Sequence, residues 1–257
     1  MTELLDHLEG ARASGRKLLV PYLVAGIPDP VGFPAALDAI AAHADAVEVG
    51  LPYSDPLMDG PVIASATERA IRSGVGPVGA LELASEATTD RPRLAMTYYN
   101  PIHRIGEREF CRAASKAGFA GLIVPDIPVE ESGSLRAVAA EASLAWVPLV
   151  APTSSTERVK TIAETATGFI YAVSTLGVTG ARESLSERAA PVVDACREAS
   201  NLPILVGIGV STPEQARDAS ATADGVVVGS AVVRRVLEKG AGEAATWLES
   251  VRAALDA

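Results

Sequence analysis

Residues 204–236, ILVGIGVSTPEQARDASATADGVVVGSAVVRRV, contain a structural unit twice over. Ile204–Val206 is apolar at every position, the pattern of a parallel strand covered on both faces. Gly207 and Gly209 end it, and Thr212-Pro213 offers an N-cap followed by proline at the first helical position. Gly225–Val228 is a second such strand, and Gly229-Ser230 opens another apolar helical segment, Ala231–Val236. Working outward, the same alternation predicts strands at Leu18–Val24, Ala46–Val49, Leu94–Tyr98, Gly121–Val124, Ala145–Val150 and Phe169–Val173. Between them lie helical periods, with Phe110, Ala113, Ala114 and Ala117 on one face and Leu135, Val138, Ala139 and Ala142 on another. Ser154-Ser155-Thr156-Glu157 reads as a capping box. Eight strands alternating with helices, unbroken by a linker, predict an α/β fold. The expectation is a single (β/α)8 TIM barrel spanning residues 1–257. An open doubly wound sheet is the alternative, and no strand is followed by the G-x-G-x-x-G turn that would favour it. The stretch Ser65–Thr88, interrupted by Gly74, Gly76 and Pro77, predicts a helix inserted after the second strand. Leu4, Leu5 and Leu8 predict another helix before the first strand, closing the barrel's bottom.

Within that frame Glu48 stands out, because it interrupts an apolar strand where a carboxylate has no packing use. Asp59 follows in the turn-rich loop leaving that strand, among Pro52, Pro56, Gly60 and Pro61. Chemistry on a barrel belongs to the C-terminal ends of strands and the loops beyond them, so both acids fall on the functional face. Two carboxylates in unlike surroundings suit proton movement in opposite directions. The alternatives are a buried paired acid for Glu48 and an Asx-turn for Asp59. The glycines after the seventh and eighth strands let the backbone approach a ligand, and loops at those positions commonly hold a phosphate. After the sixth strand, the glycine-hinged segment Ser174–Ser186 is long enough to form a lid.

Composition narrows the chemistry. The 257 residues are 48% hydrophobic and carry a net charge of −10 with no basic cluster, which argues against nucleic-acid or anionic-membrane partners. A phosphate would therefore be held by backbone N–H groups and helix dipoles. No signal segment or membrane span is visible, so a cytoplasmic protein is expected. Cys111 and Cys196 make no disulfide framework, and Cys196 shares an apolar face with Ala189, Val192 and Val193. Lys17 precedes the first strand, Lys116 and Lys160 sit on helices, and Lys239 lies near the C-terminal helix. None is placed to form a Schiff base. His7, His43 and His103 are scattered without metal-ligand spacing, and no G-x-S-x-G elbow is present. Acid–base work on a phosphorylated compound that supplies its own electron sink remains.

The segments PYLVAGIPDP, VEVGLPYSDPLMDGPVI, MTYYNPI, VPDIPVEES, YAVSTLGVTG, GIGVSTPEQ and VVVGSAVV, in that order, strongly resemble the tryptophan synthase alpha chain family across nearly the whole sequence. The resemblance implies retro-aldol cleavage of indole-3-glycerol phosphate to indole and glyceraldehyde 3-phosphate. It implies that Glu48 shuttles protons between the glycerol hydroxyl and indole C3, and that Asp59 serves the indole N–H. Desolvation should raise the pKa of Glu48 while Asp59 stays ionised. By the same resemblance Gly180, Gly207, Gly209, Gly229 and Ser230 match a phosphate cradle. Tyr22, Tyr98, Ile127 and Tyr171 match the surroundings of the indole, with barrel-core packing as their alternative role. Thr179 matches a lid residue that hydrogen-bonds the catalytic aspartate, and Asn100 and Asp126 resemble supporting or partner-facing groups. The chain departs from the common bacterial pattern at Tyr53, Met58 and Thr175-Leu176. The implied assembly is an α2β2 tetramer in which indole passes to a beta chain. The partner would dock near Pro52–Pro61, Pro101–Ile105 and Val129–Ser132. The resemblance implies no cofactor on this chain, and pyridoxal phosphate on the beta partner only. Alternatives are a free-standing indole-releasing lyase, another phosphosugar barrel, and a catalytically silent subunit.

Overall fold

The computed structural model describes residues 2–173, 185–207 and 209–257. The chain opens with α1 (Glu3–Ala13), β1 (Leu18–Val24), α2 (Phe33–Ala41), β2 (Val47–Gly50), α3 (Pro61–Arg72), α4 (Pro77–Ser85) and β3 (Arg93–Met96). It continues through α5 (Tyr99–Ile105), α6 (Glu107–Lys116), β4 (Phe119–Ile123), α7 (Gly133–Glu141), β5 (Ala145–Trp146), β6 (Leu149–Val150) and α8 (Thr156–Ala163). Then come β7 (Ile170–Val173), α9 (Leu185–Ala199), β8 (Ile204–Gly207), α10 (Pro213–Ser220), β9 (Gly225–Val228), α11 (Ser230–Lys239) and α12 (Ala241–Leu255).

All strand pairings are parallel, in the order β5-β4-β3-β2-β1-β9-β8-β7-β6. β5 and β6 are two halves of the predicted fifth strand, parted at Val147-Pro148, where proline has no N–H for the ladder. The same segment still joins both neighbours. The Val147 N–H donates to the Leu122 carbonyl at 3.0 Å, and the Pro148 carbonyl accepts from the Tyr171 N–H at 3.0 Å. The ring of eight strand positions thus closes.

Alternation along each strand sorts the core into two layers. Leu18, Val20, Ala46, Leu94, Phe169, Leu205 and Val227 fill the interior together with Leu4 and Leu8, so α1 does plug the bottom. Leu19, Leu23, Val47, Ala95 and Val226 face the helices, where Cys196 packs with Ala189, Val192 and Val193. Beneath the barrel, Asp45 and Arg252 are buried together at 3.2 Å. Asp45 also accepts from Arg16 Nε at 2.8 Å and from the Leu19 N–H at 2.8 Å.

Several local expectations shift. The predicted insertion after the second strand is present as two helices, α3 and α4, parted by Gly74 and Gly76. His103 lies on α5. Ser155, not Ser154, caps α8, accepting the Arg158 N–H at 3.3 Å, which moves Glu157 forward in the first turn and dissolves the capping box. The expected cap on α10 is complete: Thr212 accepts from the Gln215 N–H while the Gln215 side chain bonds back to the cap. No helix among the described residues is long and apolar enough to cross a membrane.

Candidate active site

Inward-facing positions near the C-terminal ends of the strands build the mouth. Ala46, just before β2, shares the interior parity of Glu48 and Gly50, so the fold that buries Ala46 also turns the Glu48 carboxylate inward. Glu48 is 1% exposed. Its Oε1 has no hydrogen-bond partner among the described residues, an expensive arrangement for a group kept only for packing. Burial pushes its pKa from 4.5 up to about 8, so it is largely protonated at neutral pH.

Tyr22 on β1 lies in register with Glu48. Its hydroxyl occupies the space a side chain at position 50 would need, since a Cβ on Gly50 would fall 2.0 Å from Tyr22 Oη. Tyr22 is also the common neighbour of the two acids. Burial raises its pKa well above the usual phenol value, and the charges of Asp59 and Glu48 add to the effect. Asp59 shares a cleft with Tyr22, Tyr53, Tyr98 and Thr97. Burial raises the Asp59 pKa from 3.8 to about 6, and the Tyr98 hydroxyl, donating to the carboxylate, limits the rise. Asp59 therefore remains mainly ionised at pH 7, as expected, though it does not keep an ordinary aspartate's pKa.

Tyr171 on β7 completes the cluster, with its pKa raised well above the usual value by burial and then by Glu48 and Tyr22. Its ring explains Gly207, where a Cβ would lie 2.2 Å from Tyr171 Cε1. Gly207 ends β8 and makes room for an aromatic wall. Gly209 adopts φ +98°, a conformation that favours glycine. Gly229 caps α11 and lies beside both Tyr22 and Ile63, within 3.9 Å and 3.7 Å of an ideal Cβ. Ser230 begins α11 and is exposed. The first N–H groups of a helix lack intrahelical acceptors, so the Gly229-Ser230 turn directs backbone donors to the mouth beside the tyrosine that adjoins Glu48.

Ile127 lies beyond the end of β4, where it borders one groove with Val124, Trp146 and Leu149 and another with Tyr99, Asn100 and His103. Thr179, Gly180 and Thr175-Leu176 lie outside the described residues. Asp126 accepts the Tyr99 N–H at 2.8 Å, and Asn100 Nδ2 donates to Tyr53 Oη at 2.8 Å, consistent with supporting roles. Leu51, Thr67, Met96 and Thr97 also line the cleft and were not singled out from sequence. Inward parity two positions beyond Leu94 would have found Met96. Thr97 carries no such signal.

Fold and site together define a barrel enzyme of the acid–base type, with two carboxylates and glycine-built turns at the C-terminal mouth. The family model described as tryptophan synthase alpha chain matches residues 8–254, and the chain belongs to that family. It is 46% identical over 253 residues to the tryptophan synthase alpha chain of Streptomyces avermitilis, covering 97% of this chain and 91% of that one. Identity to the Methanocaldococcus jannaschii alpha chain is 40% over 240 residues, covering 92% and 85%. A structure of Mycobacterium tuberculosis tryptophan synthase superposes with a TM-score of 0.92 at 38% identity, covering 99% of this chain and 98% of that one.

Proposed function

We propose that this chain cleaves indole-3-glycerol phosphate to indole and glyceraldehyde 3-phosphate, the alpha reaction of tryptophan biosynthesis, with Glu48 and Asp59 as the catalytic pair. The observation that carries the reading is the buried Glu48 carboxyl, held neutral beside Tyr22 with one oxygen uncommitted. A neutral acid donates its proton to indole C3, and the ring becomes an iminium-like electron sink. The resulting carboxylate takes the proton of the glycerol hydroxyl as the carbon–carbon bond breaks. The bond's electrons restore the indole, the hydroxyl carbon becomes an aldehyde, and Glu48 returns to its starting state. Asp59, ionised, accepts the ring N–H and stabilises the positive charge developing there.

Gly229 and Ser230, with Gly207 and Gly209 from the end of the neighbouring strand β8 and with Gly180, would hold the phosphate through backbone N–H groups. Tyr22, Tyr98 and Tyr171 would enclose the ring, and Thr179 would close over Asp59. The electron sink lies in the substrate, so the cleavage needs no cofactor on this chain. Pyridoxal phosphate belongs to the beta chain, which receives the indole in an α2β2 assembly. A biosynthetic step of this kind fits the cytoplasm. Indole release from indole-3-glycerol phosphate, measured with and without an added beta chain, tests the reading: weak turnover alone and strong turnover with the partner are expected. Full turnover without the partner would point to a free-standing lyase, and none under either condition would refute the assignment.

A further inference from the structure

The loop carrying Asp59 is fastened to the end of β3 by one side chain. Tyr98, 6% exposed, is the N-cap residue of α5, and its Oη accepts the Met58 N–H at 3.0 Å. The Tyr98 hydroxyl proton is then free to point into the cleft that Tyr98 lines together with Asp59, the residue next to Met58. The ring is held from the other side by Tyr53, 5.5 Å away between centroids at 40°, and Tyr53 is itself tied to α5 through Asn100. A single phenol thus accepts from one residue of the loop and shares a cleft with the next.

We propose that Tyr98 is a positioning residue for Asp59, its hydroxyl fixing both the backbone at Met58 and the direction of the carboxylate, apart from any packing of its ring against substrate. This rests on the proposed role of Asp59. Among the described residues, the titratable groups around this side chain are Asp59 and Tyr53 from the loop, Tyr22 from β1 and Asp126 from beyond β4. The hydroxyl donor stabilises the ionised aspartate, so removing it makes that aspartate harder to ionise.

The test is Tyr98→Phe, which keeps the ring, assayed with the beta chain present. The acid limb of kcat/KM should move up by roughly one pH unit and kcat should fall roughly tenfold, while KM stays within about twofold. Carbon-13 NMR of the Asp59 carboxyl should report the same upward shift without relying on turnover. The double variant Tyr98→Phe/Asp59→Asn should be no slower than Asp59→Asn alone. An unmoved acid limb and carboxyl titration, or a rise in KM alone, would overturn the inference and leave Tyr98 as a packing residue. If Asp59→Asn itself keeps full activity and its acid limb, the proposed role of Asp59 fails instead.

Discussion

Glu48 and Asp59 are driven the same way by burial and stop on opposite sides of neutrality, at about 8 and about 6. The form that the proposed mechanism requires, with Glu48 protonated and Asp59 ionised, therefore dominates between those values. A bell-shaped kcat/KM profile with limbs near pH 6 and pH 8 is expected, and Asp59→Asn should erase the acid limb. The same burial has a stability consequence. In the folded chain Glu48 stays neutral up to about pH 8, whereas in the unfolded chain it ionises above about 4.5, so unfolding releases a proton across that window. Its contribution is intact below the unfolded value and is lost as pH rises through the folded one, a change on the order of 5 kcal/mol at most. Glu48→Gln should therefore raise Tm more at pH 8.5 than at pH 5, as calorimetry can check. An equal change at both would mean Glu48 is not titrating as described. The identity of the acids was legible because an acidic residue inside VEVG has no packing role. The upward shift of Asp59 was not, since it arises only when the loop folds over Tyr98 and Tyr22.

Strands and turns are fitted to particular aromatic rings. Gly50 and Gly207 have ordinary strand geometry and are required by the rings of Tyr22 and Tyr171. Gly207→Ala places its Cβ inside the Tyr171 ring, so the strand or the ring must yield. A loss of about 1–3 kcal/mol in denaturant unfolding, with reduced turnover, is expected. Gly229→Ala meets only ordinary contacts at 3.7 Å and beyond, so it should cost much less. Comparable losses in both would mean that glycine serves the backbone at each position. Turn glycines after the seventh and eighth strands were visible in the sequence, but the aromatic partner of Gly207 was not, because Tyr171 lies on another strand. Likewise the fifth strand read as one run, since apolar pattern alone cannot show that Pro148 interrupts the ladder.

Across the barrel, chemistry sits at one end and an ionic clasp at the other. Asp45, between β1 and β2, is bound by Arg252 from the last helix and Arg16 from the first loop, 207 and 29 residues away in sequence. Arg252→Met would leave Asp45 buried with only one of its two arginine partners. Unfolding should become easier by about 3–5 kcal/mol, with turnover per folded molecule unchanged. A large change in KM would mean the two ends are coupled. Eight apolar runs made the cylinder legible, whereas this clasp joins positions no local pattern links. The most direct measurement is single-turnover indole formation from indole-3-glycerol phosphate by Glu48→Gln at pH 7, with the beta chain bound and folding verified. A fall of about 10²–10⁴-fold relative to the unaltered chain is predicted. Retention of more than about a tenth of the rate would contradict the assignment of proton transfer to Glu48.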